Sequence, residues 1–351
     1  MRTLRRTVIA LTLLVTTFGI QAPAEAAIRP VGAFGDMTRI ELVSTTVADG
    51  WRFEYYRNLA YPCSIRGYQT FTIATRLGQE PDAVQPLWVF MHGGGVGYFT
   101  AAGRPMPSAG QKVEESAALQ RGNALAGELK GRIADDPAGF RMMAVSMCDH
   151  DIYAGPDIPD PNNPNRLPNG QPRTVNGLFA TKAAVQYALG RFPTDDYFLY
   201  GGSAGSFGTW PVAWGLEQMG IPPTGIVADS GVMNIAWQET TILSAECGRG
   251  EEASVEIPKR LHPDVINPAN DPGRLIAQGR LTTPVADVFS VGDPGQCGEM
   301  PISCPVGSDT VTMGSVECMH EPVRRAIEAQ GGASRSLSMD LCVRSQPAPA
   351  P

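Results

Sequence analysis

The chain has 351 residues, 43% of them hydrophobic and 18% charged, with 39 glycines and 30 prolines. That composition describes a buried core joined by many ordered turns and excludes a coiled coil, an intrinsically disordered chain and a collagen-like repeat. With 28 Lys and Arg against 35 Asp and Glu, the net charge is -7, which argues against nucleic acid as a partner.

In chain order, Arg2, Arg5 and Arg6 precede an apolar run from Val8 to Ile20, and Ala24-Glu25-Ala26 follows. This is the pattern of a signal peptide over residues 1–26 with a small-x-small cleavage site, so a secreted protein, extracellular or periplasmic, is expected. Loss of that leader, with its three arginines and Glu25, takes the net charge from -7 to -9. Thr16, Thr17 and Gly19 interrupt the run, which falls short of the roughly 20 apolar residues of a membrane span. All seven cysteines (Cys63, Cys148, Cys247, Cys297, Cys304, Cys318 and Cys342) follow the leader, where disulfides persist. Three bonds and one free thiol are expected, with the pairing open. Four of them crowd between positions 297 and 342, which predicts a loop-rich, stapled region. The chain has no CxxC pair and its four histidines are scattered, so no metal is expected.

Residues 39–44, 51–57 and 69–76 alternate as short strands and predict an antiparallel opening. Residues 86–91 form a continuous apolar run that ends at His92-Gly93-Gly94-Gly95, as a buried strand breaking into a turn does. A helix over 114–133 and a buried strand over 140–147 follow. Residues 151–173, rich in Pro and Asn, predict a long surface loop. Next come a helix over 175–191, a strand over 196–200, a helix over 206–219 and a buried strand over 225–229. A polar insertion occupies about 246–280 before an apolar strand over 284–291. Residues 311–316 read as the last strand, 321–330 as the last helix and 346–351 as an unstructured tail. Strands alternating with helices, without an internal repeat or linker, predict one α/β-hydrolase domain over 27–345, built on a doubly wound, mostly parallel sheet with loop insertions.

Gly201-Gly202-Ser203-Ala204-Gly205 satisfies Gly-x-Ser-x-Gly between a predicted strand and a predicted helix. That is the context of a nucleophile on a strained turn, whose flanking residues must be small for strand and helix to approach. The glycines after His92 stand at the end of another buried strand, where such hydrolases build half of an oxyanion hole. Backbone N–H groups of Gly94, Gly95 and Ala204 are the expected donors, each worth roughly 3 kcal/mol in the barrier.

A serine nucleophile needs a base, and the candidates are His92, His150, His262 and His320. Chain order in this fold is Ser, then acid, then His, which favours His320 and leaves His262, inside the polar insertion, as a weaker choice. Asp293 ends the strand over 284–291 just before Pro294-Gly295 and is the expected acid. Asp229, at the end of the preceding strand, is the alternative acid. The acid's task is to orient the imidazole and stabilise its charged form.

Gly201-Gly202-Ser203-Ala204-Gly205, then Ala228-Asp229-Ser230-Gly231, and Met147-Cys148-Asp149-His150-Asp151 with Gly155 just beyond resemble the pectin acetylesterase family, which includes Notum-like carboxylesterases. The resemblance runs over roughly 85–325. It implies an α/β-hydrolase fold, secretion, removal of acyl groups from polysaccharides or a lipidated protein serine, and a triad of Ser203, Asp293 and His320, with Asp229 outside it. The family usually has a Trp after its oxyanion glycines, no His before them, and a further Gly after the elbow. Here Val96, His92 and Ser206 stand at those places, on the acyl-binding and substrate side, so pectin itself is not implied. His92 reads as a structural residue that bonds the oxyanion loop.

The expectation is a secreted, monomeric serine carboxylesterase that acts on an acylated polysaccharide or small acyl ester through an acyl-enzyme, with no cofactor. An amidase or peptidase with the same triad, or a non-catalytic binding protein on this scaffold, are the alternatives. Tyr98 and Phe99 are candidates to pack on an acyl chain or a sugar, or else to serve the core.

Overall fold

The structure, a computed structural model, describes residues 29–79, 82–106, 112–125, 127–232, 260, 262–291 and 301–339. The expected leader, tail and Asp293 lie outside these residues.

The opening is antiparallel, as its alternation predicts. β1 (Ile40–Ala48), β2 (Trp51–Pro62) and β3 (Tyr68–Arg76) pair in succession. β4 (Leu87–Met91) then enters the sheet with every residue but Phe90 buried, the burial expected of a strand covered on both faces. β5 (Tyr98–Phe99) and β6 (Pro105–Met106) form a small ladder in the loop beyond it. The helix predicted over 114–133 is two helices, α1 (Ala117–Leu125) and α2 (Glu128–Ala134). The break falls at Gly127, whose φ of 104° is incompatible with a continuing helix.

β7 (Arg141–Val145) is followed by the long loop, which carries only the short pair β8 (Ile158–Pro159) and β9 (Thr174–Val175). Then come α3 (Gly177–Arg191), β10 (Tyr197–Gly202), α4 (Ala204–Gln218) and β11 (Gly225–Asp229). Near the end of the polar insertion, α5 (Pro272–Ala277) leads into β12 (Val285–Ser290).

The C-terminal part departs from expectation. Residues 311–316 are not the last strand of the sheet: β14 (Asp309–Gly314) pairs only with β13 (Pro301–Val306), in a separate hairpin. α6 (Ser315–Gln330) begins before position 321, and its Pro322 is an interior residue rather than a start. The final strand of the sheet is β15 (Arg335–Met339), parallel to β12. Its alternation of Arg and Ser with single apolar residues, mostly exposed at the sheet edge, hid it from a search for buried runs.

The main sheet has nine strands in the order β1-β2-β3-β7-β4-β10-β11-β12-β15, parallel from β7 onward. Along β4, Leu87, Val89 and Met91 join one apolar cluster with α3, α4, α5 and α6, while Trp88 joins another beside α1 and α2. Helices therefore cover both faces, as in the expected α/β-hydrolase fold. From β4 the chain crosses to β7 on one side, then returns to β10 on the other. Such a reversal opens a crevice at the carboxyl ends of the two central strands, where open α/β sheets place their sites.

Candidate active site

The two glycine motifs meet at that crevice, since the His92–Gly95 loop leaves β4 and Ser203 leaves β10. Ser203 is the turn between β10 and α4, with φ 53° and ψ -120°, a left-handed backbone that costs a non-glycine residue about 1–3 kcal/mol and persists only where the surroundings enforce it. They do so by close packing. A Cβ on Gly205 would stand 1.9 Å from the Met91 carbonyl oxygen, and one on Gly201 would stand 2.2 Å from the Gly205 carbonyl oxygen. The elbow is also bonded at its base, where the Ser203 N–H donates to the Asp229 carbonyl at 2.9 Å. Ser203 is exposed, and a Cβ on Gly93 would come within 2.9 Å of the serine Cβ. The loop therefore passes over the Ser203 side chain at a distance only glycine allows. Gly94 and Gly95 are exposed, with φ of 152° and 73°, and Ala204 is buried as the first residue of α4.

His320 sits within α6, in its second turn, rather than in a loop before the helix. It is fully buried, and its ring stacks on Phe289 with centroids 4.1 Å apart. Nδ1 lies 2.9 and 3.1 Å from the two carboxylate oxygens of Asp287, and Ser336 Oγ donates to the same carboxylate at 3.0 Å. An Nδ1–H held by a carboxylate leaves Nε2 as the basic nitrogen, and Nε2 has no hydrogen-bond partner among the described residues. No hydrogen bond joins it to Ser203 Oγ there.

Sequence reasoning missed Asp287. A carboxylate in the middle of an otherwise apolar strand, Val285–Ser290, was the signal available, because a fully buried charge there requires a partner. Asp293, the expected acid, lies outside the described residues. The alternative, Asp229, is engaged elsewhere: its carboxylate accepts from Tyr200 Oη at 3.1 Å and Ser230 Oγ at 2.8 Å. The Tyr200 hydroxyl is pushed up to about 12 by burial and then by the Asp229 charge. His262 is buried, and its carbonyl accepts from the N–H groups of Val265 and Ile266.

Behind the glycine loop lies a second polar group. His150, Ile152 and Tyr153 all have positive φ, 47°, 53° and 56°, in the stretch just after the Cys63–Cys148 disulfide. His150 is buried against Gly94 and is pushed down to about 4 by burial first, then by the charges of Lys112 and His92. Asp149 and Asp151 are buried and bonded inward: Asp149 accepts from Ser64 Oγ and the Asn176 N–H, Asp151 from the N–H groups of Tyr153, Gly155 and Gly177. Tyr98 and Phe99 are buried.

A second disulfide, Cys304–Cys318, ties β13 to α6 two positions before His320. The other three cysteines lie outside the described residues. One turn past the elbow, a cleft is lined by Ile152, Phe207, Trp210, Trp214, Val265 and Leu275 among others. Among the described residues no cluster of His, Cys, Asp or Glu is arranged to hold a metal, and no helix is long and apolar enough to cross a membrane.

No family profile matches the chain, and no curated protein matches it in sequence. Solved structures are similar to it at low identity. A putative acetyl xylan esterase from Bacteroides fragilis is 13% identical over 90% of this chain and 72% of its own, with a TM-score of 0.47. A fluorophosphonate-binding serine hydrolase from Staphylococcus aureus is 10% identical over 83% and 90%, with a TM-score of 0.45. A thermostable esterase is 14% identical over 88% of this chain, which spans 56% of that protein's length, with a TM-score of 0.39.

Proposed function

We propose that the chain is a serine carboxylesterase that works by acyl transfer. The observation that carries this is the exposed, left-handed Ser203 under the Gly93–Gly95 loop at the reversal of the sheet. A hydroxyl held there meets an ester carbonyl whose oxygen lies beside the N–H groups of Gly94, Gly95 and Ala204. His320, with Nδ1 held by a carboxylate, takes the Ser203 proton at Nε2 as Oγ bonds to the carbonyl carbon. The same proton passes to the leaving alkoxide as the ester C–O bond breaks, and water then repeats the sequence to release the acid. Donors aimed at the developing oxyanion contribute most of such a barrier reduction.

The carboxylate in contact with His320 is Asp287, and the orienting role is assigned to it. Asp293, the acid implied by the family resemblance, is tested beside it. The aromatic cleft beside α4 suits an apolar acyl group, and its walls beyond α4, Ile152 and Val265–Leu275, come from the long loop after β7 and from the insertion before β12. The two disulfides support action outside the cytoplasm, on an O-acyl ester such as an acetylated polysaccharide.

The test is a fluorophosphonate probe on the folded protein, followed by rates on p-nitrophenyl esters of increasing chain length and on acetylated polysaccharides. Labelling confined to Ser203 with saturable ester turnover is expected. A folded protein whose Ser203 neither labels nor turns over any ester would overturn the proposal in favour of a binding role.

A further inference from the structure

His92, the residue immediately before the oxyanion glycines, has an oxygen acceptor on each ring nitrogen. Nδ1 is 2.6 Å from the Gly93 carbonyl oxygen and Nε2 is 2.8 Å from Glu115 Oε1. A peptide carbonyl carries no proton. Both Glu115 carboxylate oxygens already act as acceptors, Oε1 from the Met147 N–H and Oε2 from Gln120 Nε2. A neutral imidazole has a single N–H, so one of its lone pairs would face an oxygen at hydrogen-bond distance. Only the doubly protonated ring satisfies both contacts.

We propose that His92 is carried as an imidazolium, paired with Glu115, and that it acts as a positioning residue that clamps the oxyanion loop. The leverage comes from the peptide plane. The Gly93 carbonyl and the Gly94 N–H belong to one rigid trans peptide and point in opposite directions. Fixing the carbonyl on Nδ1–H therefore aims the Gly94 N–H the other way. Gly94 could not hold that direction alone, since its φ of 152° is backbone available to glycine with little steric restraint. The catalytic consequence rests on the esterase function proposed above; the charge state of the ring does not.

The groups around His92 fit this state. Burial works to push its ring down, but the hydrogen bond and charge of Glu115 together with the Gly93 carbonyl outweigh it, and the net direction is upward. Lys130 of α2, stacked 3.6 Å over Phe90, opposes the charge and is itself pushed down to about 8 by burial. From the loop after β7, Tyr153 stands edge-on to the ring and donates its hydroxyl proton to the His92 carbonyl at 3.3 Å, and burial keeps that phenol un-ionised. His150, on the other side of the glycines, is held neutral. One histidine backing the loop is thus charged and the other is not. Because the folded state raises the ring above its ordinary value, the clamp is complete below that value and is lost as pH rises through the folded one. On deprotonation the proton nearest the carboxylate is kept, Nδ1 becomes a lone pair, and the Gly93 carbonyl is released.

The experiment is ¹⁵N NMR of the imidazole nitrogens in the full chain, with the His92 signals assigned by their loss in H92Q. Two protonated ring nitrogens are expected at neutral pH, with titration above the range of a free imidazole, and titration at lower pH in E115Q. In kinetics, E115Q should move the alkaline limb of kcat to lower pH and reduce kcat at pH 8 by about ten- to a hundredfold, less than deleting an oxyanion donor outright, with KM for p-nitrophenyl acetate nearly unchanged. A single protonated nitrogen on wild-type His92 at pH 6.5 would overturn the proposal whatever the activity, and also where E115Q fails to fold. A folded wild type that shows the imidazolium but no ester turnover would sink the esterase function and leave the charge state standing.

Discussion

The two halves of the candidate site are built in different ways. The nucleophile half comes from two short segments, residues 91–95 and 201–205, that lie on neighbouring parallel strands, and its geometry follows from the absence of side chains: carbonyl oxygens occupy the places where Cβ atoms would be. The base half is assembled from β12, α6 and β15, with His320 and Ser336 separated by 33 and 49 residues from Asp287, their shared contact, and it depends on a buried charge finding its partners. A half held by excluded volume tolerates no bulk but needs no charge balance. A half held by a buried carboxylate tolerates changes of shape better than loss of a proton or a partner.

The largest effect expected is at the nucleophile. Ser203→Ala should lower kcat by roughly four to six orders of magnitude, with the fold and the p-nitrophenyl ester KM kept, leaving the contribution of donors and binding. Steady-state rates on a preparation with unchanged circular dichroism check it. Retained turnover near wild type would move the nucleophile elsewhere and dissolve the distinction between the halves.

The next effect lies in the base half. Asp287→Asn keeps the shape but presents an amide to Nδ1, favouring the wrong tautomer, and about four orders of magnitude in kcat are expected to be lost by analogy with other triads. Asp293→Asn, measured in parallel, should cost far less. The reverse pattern would return the acid role to Asp293 and make Asp287 a structural partner of the helix.

The third effect is on stability. Cys304–Cys318 closes a 14-residue separation, and a loop of that size contributes about 3 kcal/mol in the chain-entropy account of disulfides. Removing it with C304A/C318A should lower the urea midpoint by a corresponding amount. Mild reduction should depress activity before global unfolding, because Cys318 lies in α6 two residues before His320. Activity that persists until the domain unfolds would show that α6 holds the histidine unaided.

The same contrast explains what was legible in the sequence. Ser203 and the glycines after His92 could be read because each motif is contiguous and bounded by an apolar strand. The central strands β4, β7, β10, β11 and β12 could be read for the same reason, as buried strands are continuous apolar runs, and β1 to β3 by their alternation. β15 could not, since an edge strand is half solvated and its residues, Arg335, Ser336 and Ser338, carry no hydrophobic signal. Without it the hairpin strand β14 took its place and His320 was set in a loop. Asp287 gives no such signal, because it stands mid-strand whereas Asp229 and Asp293 follow the ends of apolar runs. The tie from His92 to Glu115 was invisible as a pair, because they stand 23 positions apart with the β5–β6 ladder between them.

The smallest effect expected is at Asp229, and it sharpens the boundary between the halves. Its backbone carbonyl supports the elbow by accepting the Ser203 N–H, while its carboxylate, half-buried, accepts only from the hydroxyls of Tyr200 and Ser230 among the described residues. Asp229→Asn leaves the carbonyl in place and can still accept both hydroxyl protons through its amide oxygen. The loss should therefore be limited to the charge-assisted part of those bonds, about 1 kcal/mol of stability, with kcat within about tenfold of wild type because no proton in the acyl-transfer sequence passes through that side chain. Removing the charge also removes one reason for the elevated Tyr200 phenol, so its ultraviolet titration should move downward while burial keeps it above a free tyrosine. A thousandfold fall in kcat with the fold intact would instead place the Asp229 carboxylate in the base half.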